Sequence, residues 1–238
     1  CGLYCGAKIE LIDIDKDTAN IDINKLEEKL LHAEKNKKLP KVLVPVHMSG
    51  NSVDMKKLAK LSMKFKFKII EDASHALGAS YENMPVGCCK YSDISVFSFH
   101  PVKSITTGEG GSALTNNASI YQKLKLFRTH GIIQNIDLNN KKNKIKPWYY
   151  EQIDLGYNYR MSDIAAALGV SQIKRIKEFI NKRKLLAKRY NKSFRDLPIK
   201  TISLKQINSS SNHLYIIRVY KNSSKKDNLS LYNYFIKN

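Results

Sequence analysis

The sequence predicts an α/β protein with a mostly parallel sheet and helices on both of its faces. Short β-branched runs alternate with amphipathic stretches over the first 130 residues or so, and the connections between them are short. Hydrophobic residues make up 42% of the 238 positions, so the chain can bury a sizeable core. Alternating strands and helices are the arrangement that parallel strand pairs require.

Five strands and three helices follow from the patterns in this region. Alternation of apolar and polar residues predicts a strand over 7–15, and Met55, Leu58, Leu61 and Phe65 predict one buried helix face. We expect Gly131 to end the third helix. The predicted strands span 7–15, 41–47, 67–72, 93–99 and 111–116, and the predicted helices span 23–36, 54–65 and 120–131.

The second half of the chain is less regular. Residues 132–155 break the alternation, and the Lys-rich run 141–146 within them is predicted to be a loop. Ser162 is the predicted N-cap of one long helix that reaches about residue 190. The apolar stripe predicted for that helix consists of Ile164, Leu168, Ile173, Ile176 and Ile180. The run 213–220 predicts a strand of a small α+β domain, so we expect a large domain over 1–160 and a connecting helix with an incomplete small domain over 161–238.

Charge and cysteine content limit the function classes. The net charge is +20, but the lysines are spread along the whole chain and arginines are few, so we interpret them as solvated faces. A nucleic-acid-binding module is therefore the least favoured alternative. Cys1, Cys5, Cys88 and Cys89 lack zinc-site spacing, which predicts reduced thiols in a cytoplasmic protein without a metal site. No apolar run is long enough for a membrane span, no signal peptide is visible, and we expect the chain to be a fragment.

Asp72 and Lys103 together indicate a chemistry that neither indicates alone. Asp72 ends an apolar strand, and Lys103 lies just beyond the next one, before a Gly-rich turn. Taken singly, Asp72 could form a turn and Lys103 could be one more surface lysine. A carboxylate and an amine at neighbouring strand ends are what a pyridoxal phosphate enzyme needs, because the carboxylate keeps the pyridine nitrogen protonated and the amine binds the aldehyde. Ser98 could offer a hydroxyl group to the cofactor phosphate.

Three long motifs resemble one family. Residues 69–81, 92–111 and 148–173 read IIEDASHALGASY, SDISVFSFHPVKSITTGEGG and WYYEQIDLGYNYRMSDIAAALGVSQI. They closely resemble the DegT/DnrJ-type nucleotide-sugar aminotransferases, which are fold-type I pyridoxal phosphate enzymes. The resemblance runs from Cys1 to about Val219, with the motifs in the family's order. Relatives also have an earlier Gly-Ser/Thr-rich segment for the cofactor phosphate and an aromatic residue that stacks on the ring; these precede the part matched here.

The resemblance implies roles for four residues of the large domain. Lys103 matches the lysine that forms the Schiff base with pyridoxal phosphate. Asp72 matches the partner of the pyridine nitrogen, and His75 matches a residue that approaches the cofactor ring. Ser98 matches a serine that contacts the phosphate.

The resemblance further implies a homodimer with shared active sites. Asn158 matches an asparagine that reaches the cofactor phosphate of the neighbouring subunit. Arg160 is a weaker candidate beside it, and a structural ion pair is the alternative for this residue. His47 matches a family motif beside the cofactor but could equally be a core histidine.

The activity implied is amino transfer. The residues of these motifs are most similar to those of one group of family members. These members move an amino group from glutamate to the 4-keto group of a UDP-4-keto-6-deoxy-N-acetylhexosamine, on the way to pseudaminic acid. Three alternatives within the same fold stay open: another nucleotide-sugar aminotransferase, a sugar dehydratase, and an inactive regulatory relative that binds a ligand. Dehydratases of this kind carry histidine in place of the lysine, so Lys103 argues against that class.

Overall fold

A computed structural model describes residues 1–134, 148–202, 208–219 and 228–237. Its six helices are α1 (Ile23–Lys35), α2 (Met55–Phe65), α3 (Ala118–Arg128), α4 (Asp163–Ile173), α5 (Ile176–Ser193) and α6 (Asn228–Lys237). Its strands are β1 (Val42–Leu43), β2 (Lys68–Asp72), β3 (Ser80–Tyr81), β4 (Met84–Pro85), β5 (Ile94–Ser98), β6 (Gly111–Leu114), β7 (Ile132–Gln134), β8 (Tyr150–Gln152), β9 (Ile199–Thr201), β10 (Asn208–Ser209) and β11 (Ile217–Val219). Short 3₁₀ turns occupy Leu3–Cys5 and Met48–Gly50.

The main sheet has four strands in the order β1-β2-β5-β6. β1 and β5 both pair with β2 in parallel, and Asp72 lies in register with Val96. β6 pairs with β5 antiparallel, from Ser95 opposite Leu114 to Ser98 opposite Gly111. The mostly parallel sheet expected from the sequence is therefore confirmed, with one antiparallel edge strand.

One face of this sheet is covered by α1 and α2. Asp22 and Asp54 cap these helices by accepting hydrogen bonds from backbone N–H groups of the first turn. The apolar residues of both helices then pack on β2 in a single core, as the spacing of the sequence predicts. Its buried members are Leu26, Leu30, Val53, Met55, Leu58, Leu61, Phe65, Phe67, Ile69 and Tyr81.

The opposite face carries the polar residues of interest. Because side chains alternate along a strand, Asp72 and Ser98 share this face with Val96. The side chains of Val44, Val46 and Val96 are exposed there. This face is apolar around Asp72, and the described residues leave its valines open.

The later part of the chain packs back onto the loops that follow β2. Gly78 has a φ of +83°, and a Cβ built on it would lie 2.9 Å from Cγ1 of Ile180 in α5. β10 pairs with β3, and β9 pairs with β11 in a separate two-stranded sheet. None of the helices in the described ranges is long and apolar enough to cross a membrane.

Several sequence predictions need correction. Residues 7–15 form no strand, only an isolated bridge between Ile14 and Ile21, because they lie outside the main sheet and find no neighbouring strand. The helix expected over 120–131 runs from Ala118 to Arg128, and Thr129 is its C-cap. The predicted strand 41–47 is reduced to Val42–Leu43, and of the predicted strand 213–220 the described residues form a strand over Ile217–Val219 only. The predicted loop 141–146 lies outside the described residues.

The long helix also differs from its prediction. Ser162 does cap its start, accepting a hydrogen bond from the Ala165 N–H, but the helix divides at residues 174–175 into α4 and α5. Of the predicted stripe, Ile180 is 5% exposed, whereas Ile164 is 87% exposed. The periodicity identifies the apolar face of a helix but does not say what covers it.

Candidate active site

Asp72 and Ser98 meet at one edge of the sheet because their strands are parallel neighbours. Asp72 pairs with Val96, and Ser98 follows two residues later on the same face. Strand spacing and rise place their Cα atoms about 8 Å apart. The carboxyl ends of parallel strands are where ligands bind in open α/β sheets.

The position of Asp72 is set by its backbone. Its N–H donates to the Pro45 carbonyl at 2.9 Å, and its carbonyl accepts from the His47 N–H at 3.0 Å. One carboxylate oxygen accepts a hydrogen bond from the Ser74 N–H at 3.1 Å, so the turn-forming role considered from the sequence is real. The side chain is only half-buried, and a carboxylate can accept from further donors through its second oxygen.

Lys103 lies in the connection between β5 and β6, which is held by its own hydrogen bonds. The Lys103 N–H donates to the His100 carbonyl at 2.9 Å. The Thr107 N–H donates to the Phe99 carbonyl at 3.0 Å, and the Phe99 N–H donates to the Gly110 carbonyl at 2.8 Å. The half-buried Lys103 amine makes no hydrogen bond or ion pair with the residues that the structure describes. A fixed backbone therefore presents an amine that is available to a ligand.

His75 lies within the electrostatic field of both predicted residues. Burial lowers the pKa of His75, the Lys103 cation lowers it further, and the Asp72 carboxylate opposes both. The Nδ1 atom of His75 is buried and has no hydrogen-bond partner among the described residues. The structure therefore brings Asp72, His75 and Lys103 into one cluster with a neutral imidazole.

His213 also belongs to this cluster, although the sequence analysis gave it no role. Its ring lies 4.5 Å from that of His75, centroid to centroid, with the two planes tilted by 34°. The side chain is 8% exposed. Burial lowers the pKa of His213 to about 4, with further contributions from His75, Lys103 and Arg183. A lone histidine 110 residues beyond Lys103 carries no local signal, so only tertiary contact reveals it.

His47 is a core histidine. It is fully buried, its Nδ1 accepts from the Val53 N–H at 3.2 Å, and its Nε2 lies 2.8 Å from Oε2 of Glu71. Glu71 also accepts from the Ser92 hydroxyl group. Both ring nitrogens of His47 are engaged, which answers the question that the sequence left open.

Asn158 and Arg160 lie elsewhere on this chain. Asn158 forms an isolated antiparallel bridge with Thr129, and the side chains of Asn158 and Arg160 are exposed. Within the described ranges, Arg160 has no ion pair, and no hydrogen bond joins either residue to Asp72 or Lys103. The roles expected for these two residues therefore stay predictions.

A cavity of about 200 Å³ lies behind the segment that carries His213. Ser210, Asn212 and Leu214 line it, whereas Ser211 and His213 contact His75. All of its lining residues are uncharged. It is therefore unsuited to a phosphate or carboxylate group, and the cluster around Lys103 is the better candidate for the chemistry.

The cluster fits the donor set that pyridoxal phosphate requires. Lys103 offers an available amine, Asp72 offers a carboxylate, and the buried Nδ1 of His75 lacks a partner within the described part of the chain. Ser98 accepts from the His100 N–H at 3.3 Å, which leaves its hydroxyl proton to donate.

Comparison with known sequences identifies a single family over nearly the whole chain. Residues 1–233 match the model of the DegT/DnrJ/EryC1/StrS aminotransferase family. The UDP-4-amino-4,6-dideoxy-N-acetyl-beta-L-altrosamine transaminase of Campylobacter jejuni is 43% identical over 219 residues, which are 92% of this chain and 54% of the relative. The Helicobacter pylori enzyme of the same name is 36% identical over 208 residues, 87% of this chain and 50% of the relative.

Solved structures agree with the sequence comparison. Helicobacter pylori PseC, described as an aminotransferase of pseudoaminic acid biosynthesis, superimposes with a TM-score of 0.80 at 35% identity, over 92% of this chain and 54% of PseC. The PLP form of a putative sugar aminotransferase from Streptococcus pneumoniae gives a TM-score of 0.75 at 28% identity, over 92% of this chain and 57% of that one. The predicted α/β aminotransferase fold is therefore confirmed.

The chain spans about half the length of the curated relatives that it matches. Within that span, the family match covers residues 1–233. The strand order and the cluster around Lys103 are consistent with an aminotransferase of this family. The chain belongs to the DegT/DnrJ/EryC1/StrS aminotransferase family.

Proposed function

We propose that this chain is part of a pyridoxal phosphate-dependent aminotransferase that acts on a nucleotide sugar. The observation that carries the proposal is the grouping of Asp72, His75 and Lys103 at and just beyond the carboxyl ends of the adjacent parallel strands β2 and β5. When bound, pyridoxal phosphate supplies an electron-withdrawing ring that takes up the electron pair released at the substrate carbon. Asp72 would form an ion pair with the protonated ring nitrogen, and Lys103 would bind the aldehyde carbon covalently. Ser98 would donate a hydrogen bond to the phosphate.

Lys103 is the group we assign to proton movement at the reacting carbon. The hydrogen bonds on both sides of it fix the backbone of its loop, so its flexible side chain can reach one point from a defined origin. When it is not bonded to the cofactor, its Nζ would take up the proton from the substrate carbon and return it. His75 stays neutral near pH 7 because its pKa is lowered, so it adds a hydrogen-bonding group without a second positive charge.

The substrate assignment follows the names of the relatives. The Campylobacter and Helicobacter enzymes are named as transaminases of a UDP-linked 4-amino-4,6-dideoxy sugar. We propose that this enzyme likewise aminates the 4-keto group of a UDP-4-keto-6-deoxy-N-acetylhexosamine, with glutamate as the amino donor. Both substrates are anionic, and the net charge of +20 favours their encounter with the protein.

The enzyme is proposed to act as a homodimer with shared sites. Around Asn158 lies an exposed apolar surface that includes Leu155, 83% exposed, and Tyr159, 70% exposed. Tyr157 and Tyr159, the sequence neighbours of Asn158, stack their rings on each other with centroids 4.7 Å apart. The exposed Arg160 beside them could supply a cation to a phosphate held by a second copy of this chain. The cytoplasmic location and the division into 1–160 and 161–238 stay predictions.

Amino transfer provides the direct test. The natural protein, loaded with pyridoxal phosphate, is given glutamate and the UDP-4-keto sugar, and we expect 2-oxoglutarate and an amino sugar in equal amounts. Lys103→Ala should abolish turnover and the visible absorbance of the bound cofactor. Lys103→Arg should fail similarly, because a guanidinium stays protonated. Lys123→Ala, which removes an exposed lysine of α3, is the matched control and should keep normal turnover. Normal turnover in Lys103→Ala would contradict the assignment.

Subunit mixing tests the shared site. A Lys103→Ala chain and an Asn158→Ala chain, each inactive or clearly impaired alone, should regain activity when mixed, because one site of the heterodimer carries neither change. Each heterodimer should approach half of the activity of a wild-type dimer, which is about a quarter for the whole mixture after random exchange of equal amounts. Tagged-chain pull-down verifies exchange of subunits. Full exchange without any recovery would show that Asn158 serves its own subunit's site or none.

A further inference from the structure

A buried hydrogen-bonded pair of polar side chains lies directly behind the candidate site, on the other face of the same strand. Glu71 and Asp72 are consecutive residues of β2, so their side chains point to opposite faces. Glu71 is buried and pairs with the fully buried His47, Oε2 to Nε2, at 2.8 Å. A buried hydrogen-bonded pair of this kind adds little net stability compared with apolar residues of the same shape.

His47 is bonded to three separate parts of the site's framework. Its side chain binds Glu71 through Nε2 and the Val53 N–H through Nδ1. Its own N–H donates to the Asp72 carbonyl at 3.0 Å. Because Nδ1 accepts a hydrogen bond, the ring proton is on Nε2 and points at the carboxylate. The ring thus fixes the end of β2 to the loop over residues 47–53.

The turn that begins at His47 has an unusual backbone. The Gly50 N–H donates to the His47 carbonyl at 3.1 Å, Ser49 has a φ of +58° and Gly50 a φ of +91°. A buried serine in the left-handed region is strained and persists only where its surroundings hold it. The bonds of His47 on either side of this turn provide that restraint.

The strained turn presents its carbonyl groups to the segment that carries His213. The Ser49 carbonyl accepts from the His213 N–H at 2.9 Å, and the Gly50 carbonyl accepts from the Ser211 N–H at 3.2 Å. The Ser211 hydroxyl group then donates to the His75 carbonyl at 2.6 Å. A continuous set of contacts therefore leads from Glu71 through His47 and the turn to the two histidine rings.

We propose that His47 and Glu71 are positioning residues that hold segment 211–213 against His75. Among the described residues, their side chains form no hydrogen bond with Lys103 or with the Asp72 carboxylate. They act through the backbone of residues 48–50. The Gly50 and Ser49 carbonyl groups accept hydrogen bonds from Ser211 and His213 only while the turn keeps its strained form. The relevance to amino transfer rests on the proposed function, but the docking itself does not.

Hydrogen exchange and histidine titration of the cofactor-free natural protein test this docking without measuring activity. In His47→Phe, which keeps an aromatic ring but removes both nitrogen contacts, the Ser211 and His213 amides should exchange at least tenfold faster. The pKa of His213 should move from about 4 towards 6.5, because the ring leaves its buried position. In Glu71→Gln, which keeps an acceptor for the ring N–H, both readouts should stay close to wild type.

Ile69→Val is the matched control. Ile69 is buried on the same strand and the same face, two residues before Glu71. Its apolar side chain can form neither a hydrogen bond nor an ion pair with the turn. It should lower thermal stability without selectively freeing Ser211 and His213. Equal acceleration of these amides in Ile69→Val and His47→Phe, at matched stability, would overturn the proposal.

A second substitution covers the case in which His47→Phe does not fold. His47→Asn is smaller and polar, and it cannot span Glu71 and the Val53 N–H together, so the same two readouts apply. Failure of His47→Phe, His47→Asn and Glu71→Gln alike to fold would make the pair a requirement of the core rather than a positioning device, and would also overturn the proposal. Loss of amino transfer with unchanged amide exchange would count against it as well.

Discussion

Mild acid should weaken this protein through His213. The imidazole is neutral in the folded chain because it is buried against His75 and faces the cations of Lys103 and Arg183. Its pKa falls from the ordinary 6.5 to about 4. Between these two values the unfolded chain binds more protons than the folded chain, so acidification lowers the free energy of unfolding.

The size of the effect follows from the two pKa values. At pH 7.5 His213 is neutral in both states and contributes almost nothing. At pH 5 the unfolded chain carries its proton and the folded chain largely does not, which costs about 2 kcal/mol of unfolding free energy. Below pH 4 the folded chain is protonated too, and this contribution stops growing.

Urea unfolding followed by far-ultraviolet circular dichroism measures this loss at pH 7.5 and pH 5. His213→Gln cannot take up a proton, so its unfolding free energy should fall by about 2 kcal/mol less than that of the wild type over this interval. His32→Gln, which changes an exposed histidine of α1, should behave as the wild type does. An equal loss in the wild type and His213→Gln would refute the reasoning, because the buried imidazole would then not be the group that titrates.

Three further predictions concern close contacts and charge. Gly50→Ala should destabilise the protein by more than about 1 kcal/mol in thermal unfolding, because the new Cβ would lie 1.9 Å from the Ser211 hydroxyl oxygen at a φ of +91°. Ile180→Ala should cost about 2–5 kcal/mol in urea unfolding, since its side chain packs on Gly78 in the core; a change under 1 kcal/mol would show that the loop repacks. Asp72→Asn should lower kcat at least about 100-fold with little change in folding, because only the charge that faces the cofactor is removed. Normal kinetics in Asp72→Asn would leave this residue as a turn-former.

Local pattern was sufficient for the elements that bury one face in the main core. The apolar spacing of α2 and the apolar run of β2 predicted both elements within a residue or two. The pattern was sufficient because the apolar faces of the two elements pack against each other in the core. The same kind of pattern failed over residues 7–15, where alternation exists but no neighbouring strand accepts it. It also failed for Ile164, which the described residues leave exposed.

Asp72 and Lys103 could be proposed from the sequence alone, because their expected chemistry depends on residue type and on position at or after buried strands, and these roles stay predictions. The sequence alone therefore determined which polar groups follow which strand. A carboxylate ends β2, a hydroxyl group ends β5, and an amine lies in the connection after β5. His213 and the pairing of His47 with Glu71 depend on contacts between residues far apart in the chain, 138 positions in the case of His75 and His213. Only the tertiary structure decided these, because burial and ring contact arise from packing and not from local sequence.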